Sequence, residues 1–337
     1  MDLDLKTVLC NYPARTRPRD EPIPLGNAGG LSGSRLWRYQ SGQGLLAARA
    51  WPIDGPPPAQ LDRVHHWLNE ASRVGFVPVP VPVVDLDGRT YREHAGRLWE
   101  VIPWLPGKAD SDSPPTTSHV RAAFVALAVF HRALESHRII SPSPGILSRL
   151  EELKGLVSGG LSEIMGAIAK RPADPLGEPA TLWVDLVRRS SDEMINELAR
   201  ASTMVIDRQP ILRDARPEHF LFQGDRVSGL VDFGAMGVDT VAADLSRLAS
   251  EWFDPGNSTL RDEGMRAYSS IRPLTLSEHS LFPIFQKSTL LLGPGRWVRW
   301  HFLEERVFQD PEAISKGLKR GVDRLTSAIG EISPRNR

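Results

Sequence analysis

Two acidic residues, Asp214 and Asp232, stand where loops meet short apolar runs in the stretch I-L-R-D-A-R-P-E-H-F-L-F-Q-G-D-R-V-S-G-L-V-D-F-G, residues 211–234. Phe220-Leu221-Phe222 and Val227 to Val231 predict the two strands of a hairpin, with Gly224-Asp225 in its turn. Such a hairpin brings Asp214, ahead of the first strand, toward Asp232, at the end of the second. Carboxylates converging at one end of a hairpin suit metal-dependent phosphoryl transfer, in which one orients a hydroxyl nucleophile and the other holds magnesium.

Other elements must position these acids. The run Leu25-Gly26-Asn27-Ala28-Gly29-Gly30-Leu31-Ser32-Gly33-Ser34 is a glycine-rich turn by residue type, and glycine lets backbone N–H groups approach phosphate oxygens with no Cβ in the way. Apolar Leu36 and Leu45-Leu46 follow, so the turn lies between strands, which argues against a Walker or a Rossmann loop. Leu45 to Pro52 predicts a further strand, carrying Arg49. Leu61, Val64, Leu68 and Ala71 form a helical stripe behind G-P-P-P-A-Q, and His65 and His66 read as ordinary residues of that helix. Pro78 to Val84 is extended because proline blocks helix, and Leu98 to Ile102 is a strand. Val120 to Leu134 predicts a core helix, residues 143–205 hold two or three amphipathic helices, and Ala242-Ala243-Asp244-Leu245 opens another. Trp297, Trp300, Leu303 and Val307 recur at helical spacing on a core-packing helix.

Composition narrows the class. A chain of 337 residues with 41% hydrophobic content can bury a large core, as one domain or two lobes. Lys+Arg and Asp+Glu balance at 41 each, so no basic field points to nucleic acid. The single cysteine, Cys10, excludes an internal disulfide and a cysteine-rich zinc site. The N-terminus is acidic where a signal peptide is basic, and no apolar run approaches the roughly 18 residues that span a bilayer. The expectation is a soluble, cytoplasmic protein with no membrane partner. No internal repeat is present.

L-R-D-A-R-P-E-H-F-L resembles the protein-kinase catalytic loop H-R-D-L-K-P-E-N-x-L, and Asp232-Phe233-Gly234 its D-F-G. V-D-F-G-A-M-G-V-D-T-V-A-A-D-L is similar to the aminoglycoside phosphotransferase and choline kinase-like family, over roughly residues 22–250. That resemblance implies an α+β, two-lobed protein-kinase-like fold: a small antiparallel sheet with one main helix, then a larger, mainly helical lobe. It implies a loose lead-in at residues 1–20, a nucleotide-binding lobe at 21–105, and a helical lobe at 106–337 with the catalytic loop and acceptor site. It places Gly29, Gly30, Ser32 and Gly33 over the phosphates of ATP and Arg49 where the family carries its phosphate-binding lysine. Pro103 and Leu105 fall at the hinge, P-W-L-P-G, as backbone contacts to adenine. It makes Asp214 the residue that receives or orients the acceptor hydroxyl, with Arg216 neutralising the transferred phosphoryl group. Asp232, with His219, becomes the metal ligand. His131 and Asp244 take structural roles, Asp244 tying the catalytic loop's backbone.

Three positions depart from the family pattern. Leu212 replaces the histidine that opens the motif, Arg49 the strand lysine, and His219 the metal-binding asparagine. Arginine keeps the charge and adds a bidentate fork. Imidazole suits Mn²⁺ better than the hard Mg²⁺, so the expected metal is Mg²⁺ with Mn²⁺ as the alternative. The family's helix glutamate is also missing, since Asp62 is short and Glu70 lies late in the helix. The activity implied is ATP-dependent transfer of the γ-phosphate to a hydroxyl of a small molecule such as an amino sugar or amino alcohol. A pseudokinase or nucleotide-binding scaffold with degraded catalysis is the alternative, and nucleotidyl transfer a third.

Overall fold

The computed structural model describes residues 2–26, 33–74, 78–109, 115–252, 258–306 and 311–332. Helix α1 (Leu3–Leu9) precedes strands β1 (Ile23–Gly26), β2 (Arg35–Ser41) and β3 (Gly44–Ala50); helix α2 (Pro58–Val74) precedes β4 (Arg92–His94), β5 (Arg97–Pro103) and β6 (Lys108–Ala109). Helix α3 (Thr117–Ala133), β7 (Ile139–Ser141), α4 (Pro144–Gly155), α5 (Leu161–Ala169) and α6 (Gly177–Ser202) come next. Strands β8 (Ile206–Ile211), β9 (Phe220–Gln223), β10 (Arg226–Leu230) and β11 (Gly237–Asp239) lead into α7 (Val241–Trp252), α8 (Ser258–Ser269), α9 (Leu276–Phe302) and α10 (Pro311–Ile332). Among the described residues no helix is long and apolar enough to cross a membrane.

The chain divides into two compact units. The first comprises Met1–Ser113, Ala122–Ser136 and Glu218–Met236; the second comprises Pro114–Arg121, His137–Pro217 and Gly237–Arg337. Residues 218–236 therefore join the first unit, although the sequence reading assigns everything after residue 105 to the helical lobe.

In the first unit an antiparallel sheet runs in the order β1-β2-β3-β5-β4; β2 alternates between buried and more open residues with the two-residue period of a strand, whereas the neighbouring β3 and β5 bury three residues in succession, Leu46 to Ala48 and Trp99 to Val101. Trp37 and Trp99 stack at 5.4 Å on its inner face. The N-terminal segment differs from the expected loose lead-in. Leu5, Val8, Leu9 and Tyr12 recur at helical spacing and pack into the core with Trp37, Tyr39, Trp99 and Val101. Asp2 caps this helix by accepting from the Asp4 amide at 2.9 Å. A second sheet, β10-β9-β6, contains the expected hairpin, and Gly224 takes φ of +57° in its two-residue turn.

The second unit is mainly helical, with a small sheet β11-β8-β7. Its core gathers apolar residues from α4, α5, α6, α9 and α10 around Trp183 and Phe285. Arg272 and Glu278 form a buried, two-pronged ion pair, with N–O distances of 2.8 and 3.1 Å, and the Glu278 carboxylate also accepts from the Thr275 amide at the start of α9. Removing one partner leaves the other charge buried and unpaired. Arg272→Met is therefore expected to destabilise this unit by about 3–5 kcal/mol, read as an earlier unfolding transition in urea.

Candidate active site

Asp232 follows β10 and adopts a left-handed backbone, φ +63°, which few non-glycine residues occupy. This places the carboxylate at the hairpin's end, where the side chain keeps 38% exposure. The short helical turn Pro217–His219 delivers His219 from the other strand's start, and the His219 carbonyl accepts from the Val231 amide at 3.0 Å. The largely buried imidazole Nε2 lies 3.5 Å from the Asp232 carboxylate. Two donors suited to a divalent cation thus stand side by side, one hard oxygen and one nitrogen.

The neighbouring triplet residues are fixed by packing. Phe233 is buried, with its ring 5.7 Å from that of Phe130. A Cβ on Gly234 would meet the Trp51 ring at 2.9 Å, so only glycine admits so close an approach, and Gln60 of α2 donates to the Gly234 carbonyl at 3.2 Å. Trp51 in turn carries the Arg49 guanidinium 4.8 Å above its ring.

Arg49 sits on β3 directly opposite Glu100 of β5, and the two side chains pair at 3.7 Å. Glu100 is buried, and His65 of α2 meets its other oxygen at 2.8 Å while its second ring nitrogen contacts Thr90 at 2.8 Å. The sheet, not the helix, supplies the acid, and α2 reaches it through a histidine. Sequence reasoning missed Glu100 and gave His65 no role. The cross-strand register of Arg49 and Glu100 was the available signal, but it requires knowing that β3 and β5 are neighbours. Glu100→Gln is expected to weaken the hold on the Arg49 guanidinium, an ion pair at 3.7 Å and not a hydrogen bond, by about 1 kcal/mol, and, with the phosphate-binding role expected of Arg49, to raise KM for a nucleotide severalfold in steady-state kinetics.

The segment expected to form the hinge packs against the second sheet of the same unit. Pro103 ends β5 opposite Leu46, Trp104 donates to the Leu45 carbonyl at 3.0 Å, and Ser228 donates to the Pro106 carbonyl at 2.6 Å. Leu105 packs flat on Gly229. Gly33 takes φ of +70° beside Pro52; the other predicted phosphate-loop residues, Gly29, Gly30 and Ser32, lie outside the described residues.

Asp214 belongs to the second unit, in the loop after β8. Its carboxylate accepts from the Arg247 Nε of α7 at 3.2 Å, and Arg247 continues to Glu251 at 2.9 Å. The buried Asp244 accepts from the Leu212 amide at 2.7 Å, tying the loop's backbone to α7. Leu212 itself is buried, so the residue in place of the family's histidine is a packing residue. Arg216 is half-buried in the same loop. Arg247 had no signal in the sequence, because nothing in A-A-D-L-S-R-L marks which helical arginine turns toward the loop.

Residues 25–279 match the phosphotransferase enzyme family. Homoserine kinase of Brucella anthropi is 28% identical over 216 residues, 63% of this chain and 60% of that protein, so the match spans about three fifths of that curated relative. A solved aminoglycoside phosphotransferase from Alicyclobacillus acidocaldarius has a TM-score of 0.66 at 16% identity, covering 98% of this chain and 96% of its own. The microcompartment-associated aminopropanol kinase has a TM-score of 0.65 at 16% identity, covering 98% and 97%. These likenesses bear out the kinase-like fold class expected from the motifs.

Proposed function

Because the chain belongs to the phosphotransferase enzyme family, we propose that it moves the γ-phosphate of ATP to a hydroxyl of a small molecule such as an amino alcohol or amino sugar. The observation that carries this reading is the left-handed Asp232 beside His219, in the unit where Trp51 links the Gly234 backbone to the Arg49 guanidinium. A partly exposed carboxylate oxygen fits a hard divalent cation, and a ring nitrogen 3.5 Å away fits a softer one. Asp232 would hold the metal, with His219 either ligating it or donating to the carboxylate. When bound, a divalent cation neutralises charge on the phosphate oxygens.

Arg49 binds nucleotide phosphate, held to the sheet by Glu100 and over Trp51. Asp214, oriented by Arg247, receives or directs the acceptor hydroxyl's proton, and Arg216 offsets charge on the transferred group. The hinge carbonyl of Pro103 and amide of Leu105, with the glycine turn at 29–33, complete the nucleotide contacts in this proposal. The names of the relatives support a hydroxyl acceptor that also bears an amine: homoserine kinase and aminopropanol kinase.

The test is nucleotide turnover with Mg²⁺, with Mn²⁺ and without metal, over a panel of hydroxyl acceptors, in the wild type and in Asp214→Asn and Asp232→Asn. Metal-dependent transfer to an acceptor, lost in both variants, is the expected result. No metal-dependent turnover across the panel would leave a nucleotide-binding scaffold with degraded catalysis. A rate that falls when Mn²⁺ replaces Mg²⁺ would remove His219 from the ligand set.

A further inference from the structure

Helix α7 turns one polar face toward the loop that carries Asp214. Asp244, Arg247 and Glu251 recur three and seven residues apart, the spacing that lines side chains along one side of a helix. Asp244 accepts from the Leu212 amide at 2.7 Å and Arg247 donates to the Asp214 carboxylate at 3.2 Å, so the helix grips the loop on both sides of Arg213. Arg247 spends its Nε on Asp214 and its Nη1 on Glu251, at 2.9 Å. A guanidinium is planar, so holding two of its nitrogens fixes its plane and the direction in which Nε points.

The Glu251 carboxylate is itself held from another helix. Its second oxygen lies 3.7 Å from Nη1 of Arg324 on α10. Arg324 also donates to the Ser250 carbonyl at 2.8 Å and to the Glu251 carbonyl at 2.6 Å. Arg320, one turn earlier on the same face of α10, donates to the Glu251 carbonyl at 3.2 Å. Helix α7 ends at Trp252, so these carbonyls belong to its last turn, where backbone acceptors have no partner within the helix and the helix dipole favours a cation. The side chains of Arg247, Glu251 and Arg324 are 18%, 23% and 11% exposed, so water screens their alternating charges only in part.

We propose that Arg324 is a positioning residue for the reaction: through Glu251 and then Arg247 it fixes the direction of the Asp214 carboxylate. Helix α10, remote from that loop in sequence, thereby helps to aim the acceptor hydroxyl. The proposal rests on the assignment of Asp214 above. A carboxylate on a loop turns freely unless something holds it, and a small error in the aim of a reacting group is costly in rate. The effect therefore belongs in kcat and not in the affinity for nucleotide.

A double-mutant cycle separates aiming from simple support of the helix end. The reaction followed is metal-dependent phosphoryl transfer to the fastest acceptor of the panel, starting from L-homoserine and 3-aminopropan-1-ol. Arg324→Gln is expected to lower kcat roughly 3- to 10-fold, the scale of one hydrogen bond, with KM for ATP unchanged. Arg324→Lys, which keeps the charge facing Glu251, should recover part of that loss. In an Asp214→Asn background Arg324→Gln should cost nothing further, because the ionised group it aims is gone. Arg320→Gln loosens the same helix end through its backbone and should lower the melting temperature without moving kcat. Rates are compared at a temperature where thermal melts show every variant folded; should Arg324→Gln fail to fold, Arg324→Lys carries the cycle. An unchanged kcat in the Arg324 variants, the same loss in both backgrounds, or an equal loss in Arg320→Gln overturns the inference and leaves the kinase reading standing. Absence of metal-dependent turnover in wild type defeats the kinase reading, and this inference with it.

Discussion

Asp232→Asn should lower metal-dependent turnover by roughly a thousandfold or more while leaving the affinity for metal-free nucleotide unchanged. The reason lies in charge. An amide offers one neutral oxygen where the carboxylate offers two ionised ones, and a divalent cation contributes several kcal/mol to stabilising charge on a transferring phosphoryl group. At about 1.4 kcal/mol per factor of ten, losing that contribution removes about three orders of magnitude. Asparagine also tolerates the left-handed backbone that residue 232 adopts, so the fold should survive. Calorimetric titration of ATP with and without Mg²⁺ separates the effects: only the metal-dependent part of binding should vanish. Wild-type rates in the variant would mean that Asp232 holds no catalytic metal.

Asp214→Asn is the second large effect, and it falls on a different quantity. General-base or orienting action by a carboxylate contributes about 10²- to 10⁴-fold, so kcat should drop by that factor. KM for ATP should hardly change, since Asp214 touches no predicted nucleotide contact. The substitution also frees Arg247 from its ion partner at 3.2 Å, although Glu251 still holds that guanidinium at 2.9 Å. Because Arg247 remains anchored, the loss should report on chemistry and not on a collapsed loop. An unaltered circular dichroism melt together with the kcat loss is the expected pattern. A variant that instead loses nucleotide affinity would point to a structural role for the residue.

Local rules were enough for much of the chain. The Gly224-Asp225 turn between two apolar runs specified the hairpin, because a two-residue turn needs a backbone that glycine adopts freely. The stripe Leu61, Val64, Leu68 and Ala71 specified α2, and all four residues are buried. The run from 143 to 205 yielded α4, α5 and α6. Leu5, Val8, Leu9 and Tyr12 carried the same periodic signal for α1, but the Arg- and Pro-rich segment behind it drew the reading toward a loose tail.

The sequence by itself determined which residue types could act: an aspartate ahead of a hairpin, another at its end, and an arginine on the third strand. Tertiary structure decided what those residues lean on. Glu100 meets Arg49 only because β3 and β5 are neighbours, although about fifty residues separate them in the chain. Arg247 of α7 meets Asp214 only because that helix packs beside the loop after β8, although 33 residues separate the two in the chain. Charges attract through space and not along the chain, so which guanidinium holds which carboxylate becomes visible only once those elements are packed.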